Sequence, residues 1–172
     1  EIIQNIENGG FAKGYNDALK KVEAEFYLLL NSDIEVTENW IAPLLHQMDD
    51  ENVAGCQPKV LSYSNKTQFE HAGASGGFLD KNYFPFCRGR IFDKFEEDEG
   101  QYNGEAEVFW ATGAALLIYN PCASSRFTDV RKPVARIGTS PALRQSARHI
   151  MGGGPEHLAP ISTHHAFSTA TM

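Results

Sequence analysis

The chain has 172 residues, and 15 Lys+Arg against 22 Asp+Glu leave a formal net charge of −7. That length suits one domain, and 42% hydrophobic with 22% charged residues is globular composition rather than disordered or fibrous. The acidic balance argues against a general nucleic-acid binder, and no apolar run approaches the ~20 residues of a membrane-spanning helix.

From Phe11 to Val22 the apolar positions Phe11, Tyr15, Ala18, Leu19 and Val22 recur at helical spacing. Asn8, Gly9 and Gly10 precede this helix as a turn, and Lys20 and Lys21 suit its carboxyl end. The unbroken apolar run Phe26 to Leu30 predicts a strand buried on both faces, as in a parallel sheet. Thr37 is expected to cap a second helix that carries Trp40, Ile41, Leu44, Leu45 and Met48 on one face. Val53 to Leu61 predicts a further strand, with Pro58 pushing its end to a sheet edge or a bulge. Helix, strand, helix, strand in this order predicts an α/β fold with a parallel sheet. Ser62 to Gly104 reads as long loops over a sheet edge, and Glu107 to Ile118 as a strand, a Thr-Gly turn and a buried apolar run.

The chain then changes character. Residues 1–118 hold 9 basic and 20 acidic side chains, a net of −11, whereas residues 119–172 hold 6 and 2, a net of +4. Sixteen of the 19 aromatics lie in the first part and five of the eight prolines in the second, so a boundary is expected near Ile118–Tyr119. Apolar residues are scattered singly beyond it, with room only for a short helix from Leu143 to Ile150. Such a segment has little to set against its ordering entropy, and 119–172 is expected to be poorly ordered.

Asn31-Ser32-Asp33 follows the apolar strand. In open parallel sheets, ligands bind outside the carboxyl ends of strands. A carboxylate there can hold a divalent cation, which can neutralise a diphosphate. Asn and Asp also serve such positions as plain turn formers, and three residues taken alone favour that reading. The other candidates read as structure. Cys56, Cys87 and Cys122 are odd in number and widely spaced, which makes neither a disulfide framework nor a metal knuckle. His71 with the following Gly-rich run reads as a surface turn, Glu96 to Glu99 as a solvated loop face, and Met151-Gly-Gly-Gly154 with His164-His165 as no metal site.

Asn8-x-Gly10-Phe11, Gly14-Tyr15-Asn16, the LLLNSD strand end with its Val-Thr-x-x-Trp helix start, the stretch FEHAGASGGFLDKNYFPFCRGRIFD and the VFWATGAALLI run occur in this order. Together, from Ile3 to Ile118, they resemble family 2 glycosyltransferases of the bacterial polysaccharide type. The resemblance implies an incomplete GT-A fold, the Rossmann-like nucleotide-diphospho-sugar transferase architecture, over residues 1–118. It implies an enzyme that transfers a sugar from a nucleotide-sugar donor to a glycan or lipid-linked acceptor, metal-assisted and inverting. Asp33 matches the last acid of the DxD-like motif and would bind Mg²⁺ or Mn²⁺; Asn31 takes the place of the first acid. Asn8, Gly10 and Asn16 match the turn and helix start beside the nucleotide base, and Trp110, Thr112 and Gly113 match the segment on the sugar and acceptor side. The family's location would be the cytoplasm or the cytoplasmic face of the inner membrane, with peripheral association there.

Two family features have no counterpart in the sequence. The first strand with its nucleotide-contacting Asp would precede Glu1, and the lack of an initiator Met leads us to expect that the chain begins part-way through a longer protein. The acidic motif that supplies the general base would follow Ile118, where only Asp129 and Glu156 occur, in unrelated surroundings. A catalytically impaired chain is therefore expected, and a reading-frame change near position 119 would account for the altered composition. The competing reading is a non-catalytic domain that binds nucleotide-sugar and metal. A nucleotidyltransferase would need a Gly-rich loop with a Lys after an early strand, which the sequence lacks.

Overall fold

The computed structural model describes residues 2–70, 74–120, 134–137 and 143–145. The elements, in order, are α1 (Gly10–Leu19), β1 (Phe26–Leu30), β2 (Ile34–Glu35), α2 (Ile41–Gln47), β3 (Val53–Gln57), β4 (Val60–Ser62), β5 (Gly77–Leu79), β6 (Pro85–Cys87), β7 (Arg90–Ile91), β8 (Lys94–Phe95), β9 (Ala106–Val108), β10 (Ala115–Tyr119), β11 (Val134–Ile137) and β12 (Leu143–Gln145). The α/β class stands. Among the described residues no helix is long and apolar enough to cross a membrane.

The main sheet has the order β1-β10-β3-β11-β9. β10 is antiparallel to both β1 and β3, while β11 runs parallel to β3 and antiparallel to β9. The sheet is therefore mixed rather than parallel: β1 and β3 point the same way but have β10 inserted between them. β1 lies at the sheet edge with all five residues half-buried, which corrects the expectation of a strand buried on both faces. The core lies between this sheet and α2. Ala115, Leu117 and Tyr119 of β10 alternate toward it, as the two-residue period of a strand requires, and meet Trp40, Leu44, Met48, Val53 and Cys56. The rings of Phe26 and Tyr119 meet edge-on at 4.8 Å between centroids.

Both helices start elsewhere than the spacing suggests. α1 begins at Gly10 and ends at Leu19. α2 begins at Ile41, with Trp40 rather than Thr37 at its N-cap; Pro43 falls in its first turn, where the missing N–H costs nothing. The Thr37 hydroxyl is buried and has no hydrogen-bond partner among the described residues, so it does not cap, and Leu45 points outward while Leu44 is fully buried.

Val53 to Leu61 is two strands, broken at Pro58-Lys59. Ser62 to Gly104 is no set of loops: it contains a four-stranded antiparallel meander, β5-β6-β7-β8. Its strands of two or three residues are too short to show any alternation. The meander closes over a second core of Leu61, Phe69, Ala74 and Cys87, flanked by Tyr102 and Trp110. Ala74 to Gly77, expected at the surface, are buried, whereas His71 and Gly73 lie outside the described residues. The acidic run is only in part a solvated face, because Asp98 is half-buried and forms an ion pair with the buried Lys59 at 2.6 Å. Glu96 accepts a hydrogen bond from the Tyr102 hydroxyl at 2.9 Å.

The expected boundary near Ile118–Tyr119 falls at the end of β10. Beyond it, β11 pairs between β3 and β9, Arg136 reaches Asp50 at 2.9 Å, and Ile137 is fully buried. Leu143–Gln145 form strand β12, between β2 and β4, rather than the start of a helix. Cys122, Met151–Gly154 and His164-His165 lie outside the described residues.

Cys56 sits in the first core, its thiol donating to the Leu44 carbonyl at 3.4 Å. Burial pushes its pKa up to about 12 from the usual 9.0. Two results are expected. Mass spectrometry should find Cys56 unmodified by iodoacetamide at pH 8 in the folded protein and modified in urea. Because the unfolded thiol loses its proton first, the contribution of this group to stability is complete below pH 9 and falls between pH 9 and about 12.

Candidate functional site

Leu30, the last residue of β1, pairs with Ala115, the first of β10. Antiparallel pairing therefore brings the residues after β1 beside those before β10. The Asn31 N–H donates to the Ala114 carbonyl at 2.9 Å, and the Asn31 carbonyl accepts from Ile34 N–H at 3.3 Å. Ser32 and Asp33 thus occupy the centre of a four-residue turn, the serine exposed and the aspartate half-buried.

Thr112 and Gly113 stand next to that turn through Ala114. The Thr112 N–H donates to Gln57 Oε1 at 2.8 Å, and Thr112 Oγ1 accepts from Ala114 N–H at 3.2 Å. Gln57 ends β3 and is fully buried. The carboxyl ends of β1 and β3 and the amino end of β10 consequently meet at one edge, held by the side chain of Gln57. Sequence reasoning missed Gln57; an amide closing the otherwise apolar strand VAGCQ was the signal for it.

The α1 residues reach this edge through Tyr15, whose hydroxyl donates to the Leu30 carbonyl at 3.4 Å. Burial raises the Tyr15 pKa, so the phenol keeps its proton and remains a donor. Asn16 follows it on the same helix. Asn8 and Gly10 lie at the helix's other end, where Asn8 Oδ1 accepts from Gly10 N–H at 3.0 Å and Gly10 has φ +77°. That bond is local, so these two residues shape the entry into α1. Trp110 packs on the meander: its backbone bonds to Gly77, and its indole lies against the Gly77 backbone so closely that a Cβ there would fall 2.0 Å from the ring. Asp129 and Glu156 lie outside the described residues.

Among the described residues no group of three or more His, Cys, Asp or Glu side chains could hold a metal ion. The Asn31-Ser32-Asp33 turn offers one carboxylate with neighbouring amide and hydroxyl oxygens. These are hard donors that fit Mg²⁺ or Mn²⁺ held mainly by water and ligand phosphates, and they do not fit a dedicated protein cage.

Comparison with curated proteins finds no match. The family model described as Glycosyl transferase family 2 matches residues 1–106, more than half of the chain. The match takes in α1, the Asn31–Asp33 turn and the whole meander, and it ends in β9, ahead of Trp110, Thr112 and Gly113. With its mixed sheet and its polar turn at the carboxyl end of β1, the chain belongs to glycosyl transferase family 2.

Proposed function

We propose that the edge formed by the ends of β1, β3 and β10 binds a nucleotide-sugar and serves transfer of the sugar to an acceptor hydroxyl. The observation that carries this reading is the Asn31 N–H to Ala114 bond, which sets the Asn31–Asp33 turn beside the Thr112–Ala114 segment. Asp33 would hold Mg²⁺ or Mn²⁺, Asn31 would orient the ribose or metal shell through its amide, and Asn16 would lie toward the nucleotide. Asn8 and Gly10 would fix the start of α1, while Thr112 and Gly113 would line the sugar side with Trp110 beyond them. In the transfer, the acceptor oxygen forms a bond to the anomeric carbon as the bond to the diphosphate breaks, with inversion. Mg²⁺ or Mn²⁺ held by Asp33 would supply charge stabilisation for the leaving diphosphate. The acceptor's proton needs a base, and none of the residues assigned above serves as one. This chain is therefore proposed as a donor-binding unit with little or no turnover of its own.

Calorimetry with UDP-, GDP- and dTDP-glucose, with and without MnCl₂, tests the assignment. One donor should bind in a metal-dependent manner, and Asp33→Ala should weaken it at least tenfold, about 1.4 kcal/mol, in a variant that circular dichroism shows to be folded. Wild-type affinity in Asp33→Ala would overturn the site. Sustained release of nucleoside diphosphate in the presence of an acceptor would overturn the lack of turnover.

A further inference from the structure

A second polar cluster lies beside the meander, around the pairing of Gly77 with Trp110. Three side-chain atoms there are buried and have no hydrogen-bond partner among the described residues: Ser75 Oγ, Arg88 Nη2 and Trp110 Nε1. They belong to one neighbourhood. Arg88 Nε donates to the Ser75 carbonyl at 2.9 Å, and Ser75 N–H donates to the Arg88 carbonyl at 3.2 Å. Two residues on, Gly77 pairs with Trp110, and a Cβ on Gly77 would fall 2.5 Å from Trp110 Nε1. Gly77 also pairs with Cys87, the residue before Arg88.

The chemistry of the cluster is one-sided. A guanidinium and an indole N–H can only donate, and a serine hydroxyl can donate as well. The Arg88 guanidinium lies 5.1 Å from the Phe78 ring and 5.0 Å from the Tyr102 ring, and desolvation lowers its pKa. Among the described residues it makes no ion pair. Arg90 on the next strand differs: it has Glu70 at 3.5 Å and donates to the Phe92 carbonyl. Buried donors are satisfied in the great majority of folded proteins, and a planar guanidinium matches an oxyanion better than any other group.

We propose that Ser75, Arg88 and Trp110 form a binding site for an oxyanion carried by a sugar ligand, a carboxylate or a phosphate. The choice of a sugar as carrier rests on the donor-site reading above; the oxyanion recognition does not. Gly77 is the residue that permits the site, since any side chain there would displace the indole.

The indole N–H resonances of ¹⁵N-labelled protein test this directly. The chain has two tryptophans, so Trp110→Phe assigns the peak and Trp40 is the internal control. Glucuronate, inorganic phosphate and glucose are titrated separately. A saturable shift of the Trp110 peak is expected with glucuronate, with phosphate or with both, and none with glucose. A response to glucuronate alone identifies a carboxylated sugar, and a response to phosphate identifies a phosphorylated one. Arg88→Met should weaken the response at least tenfold and Ser75→Ala about threefold; should Arg88→Met fail to fold, Arg88→Lys and Ser75→Ala carry the test. No shift with either anion, an equal shift with glucose, or an undiminished response in folded Arg88 and Ser75 variants would overturn the site. Glucuronate binding that survives while none of the three nucleotide-sugars binds with MnCl₂ would sink the donor reading and leave this one standing.

Discussion

Replacing Asp98 by Ala is expected to destabilise the protein by about 3–5 kcal/mol, because it strands a buried ammonium. The side chains of Lys59 and Asp98 are only 8% and 13% exposed. Lys59 Nζ lies 2.6 Å from one Asp98 oxygen and 2.8 Å from the other, and it also donates to Asn103 Oδ1 at 2.6 Å. Asp98 in turn accepts from Gly100 N–H at 3.1 Å. Folded domains are typically stable by about 5–15 kcal/mol, so this loss removes a large share. Lys59→Met should cost a similar amount by stranding the carboxylate. The double variant should cost clearly less than the two single losses together, since neither charge is then left unpaired. Urea denaturation of the four proteins measures the coupling, and strict additivity would show that the pair contributes nothing as a pair.

The second large effect is expected at Gly89. It sits in the β6–β7 turn with φ +86°, where an L side chain is strained, and an added Cβ would fall 2.3 Å from the Phe69 ring. Phe69 is among the largest fully buried side chains, so the ring has nowhere to retreat. Backbone strain of about 1–2 kcal/mol and overpacking of about 1–3 kcal/mol together predict a loss of about 2–5 kcal/mol for Gly89→Ala. The two contributions separate in a Phe69→Leu background. There the ring is gone and only the strain should persist, so Gly89→Ala should cost about 1–3 kcal/mol less than in the native background. An unchanged cost in that background would assign the whole effect to the backbone.

How much of this was legible in the sequence differs by element. The LLLNSD strand end could be read because an apolar run and a polar turn adjoin within nine residues. The half-burial of β1 could not, since it depends on β10 arriving 85 residues later and leaving β1 at an edge. The meander escaped notice because two- and three-residue strands carry no periodic signal. Asp98 read as one more solvated acid because its partner Lys59 lies 39 residues earlier. At the site, Asn31 and Asp33 were visible as residue types, but the part played by Gln57 depends on a hydrogen bond spanning 55 residues. Trp110 read as a sugar-side residue, and only its packing against Gly77 reveals an indole nitrogen with no acceptor among the described residues.

The place of β11 has a consequence for how the chain folds. Among the described residues, β9 of the main sheet pairs only with β11, and β11 fills the edge of β3 that β10 leaves open. About 80 residues separate β3 from β11, so this closure is among the longest-range steps in the fold and should be slow. During synthesis β3 is complete well before residue 137 emerges, and until then one side of it presents unpaired backbone groups. During that interval the nascent chain is open to pairing with a second chain along β3, in the manner of any unguarded strand edge.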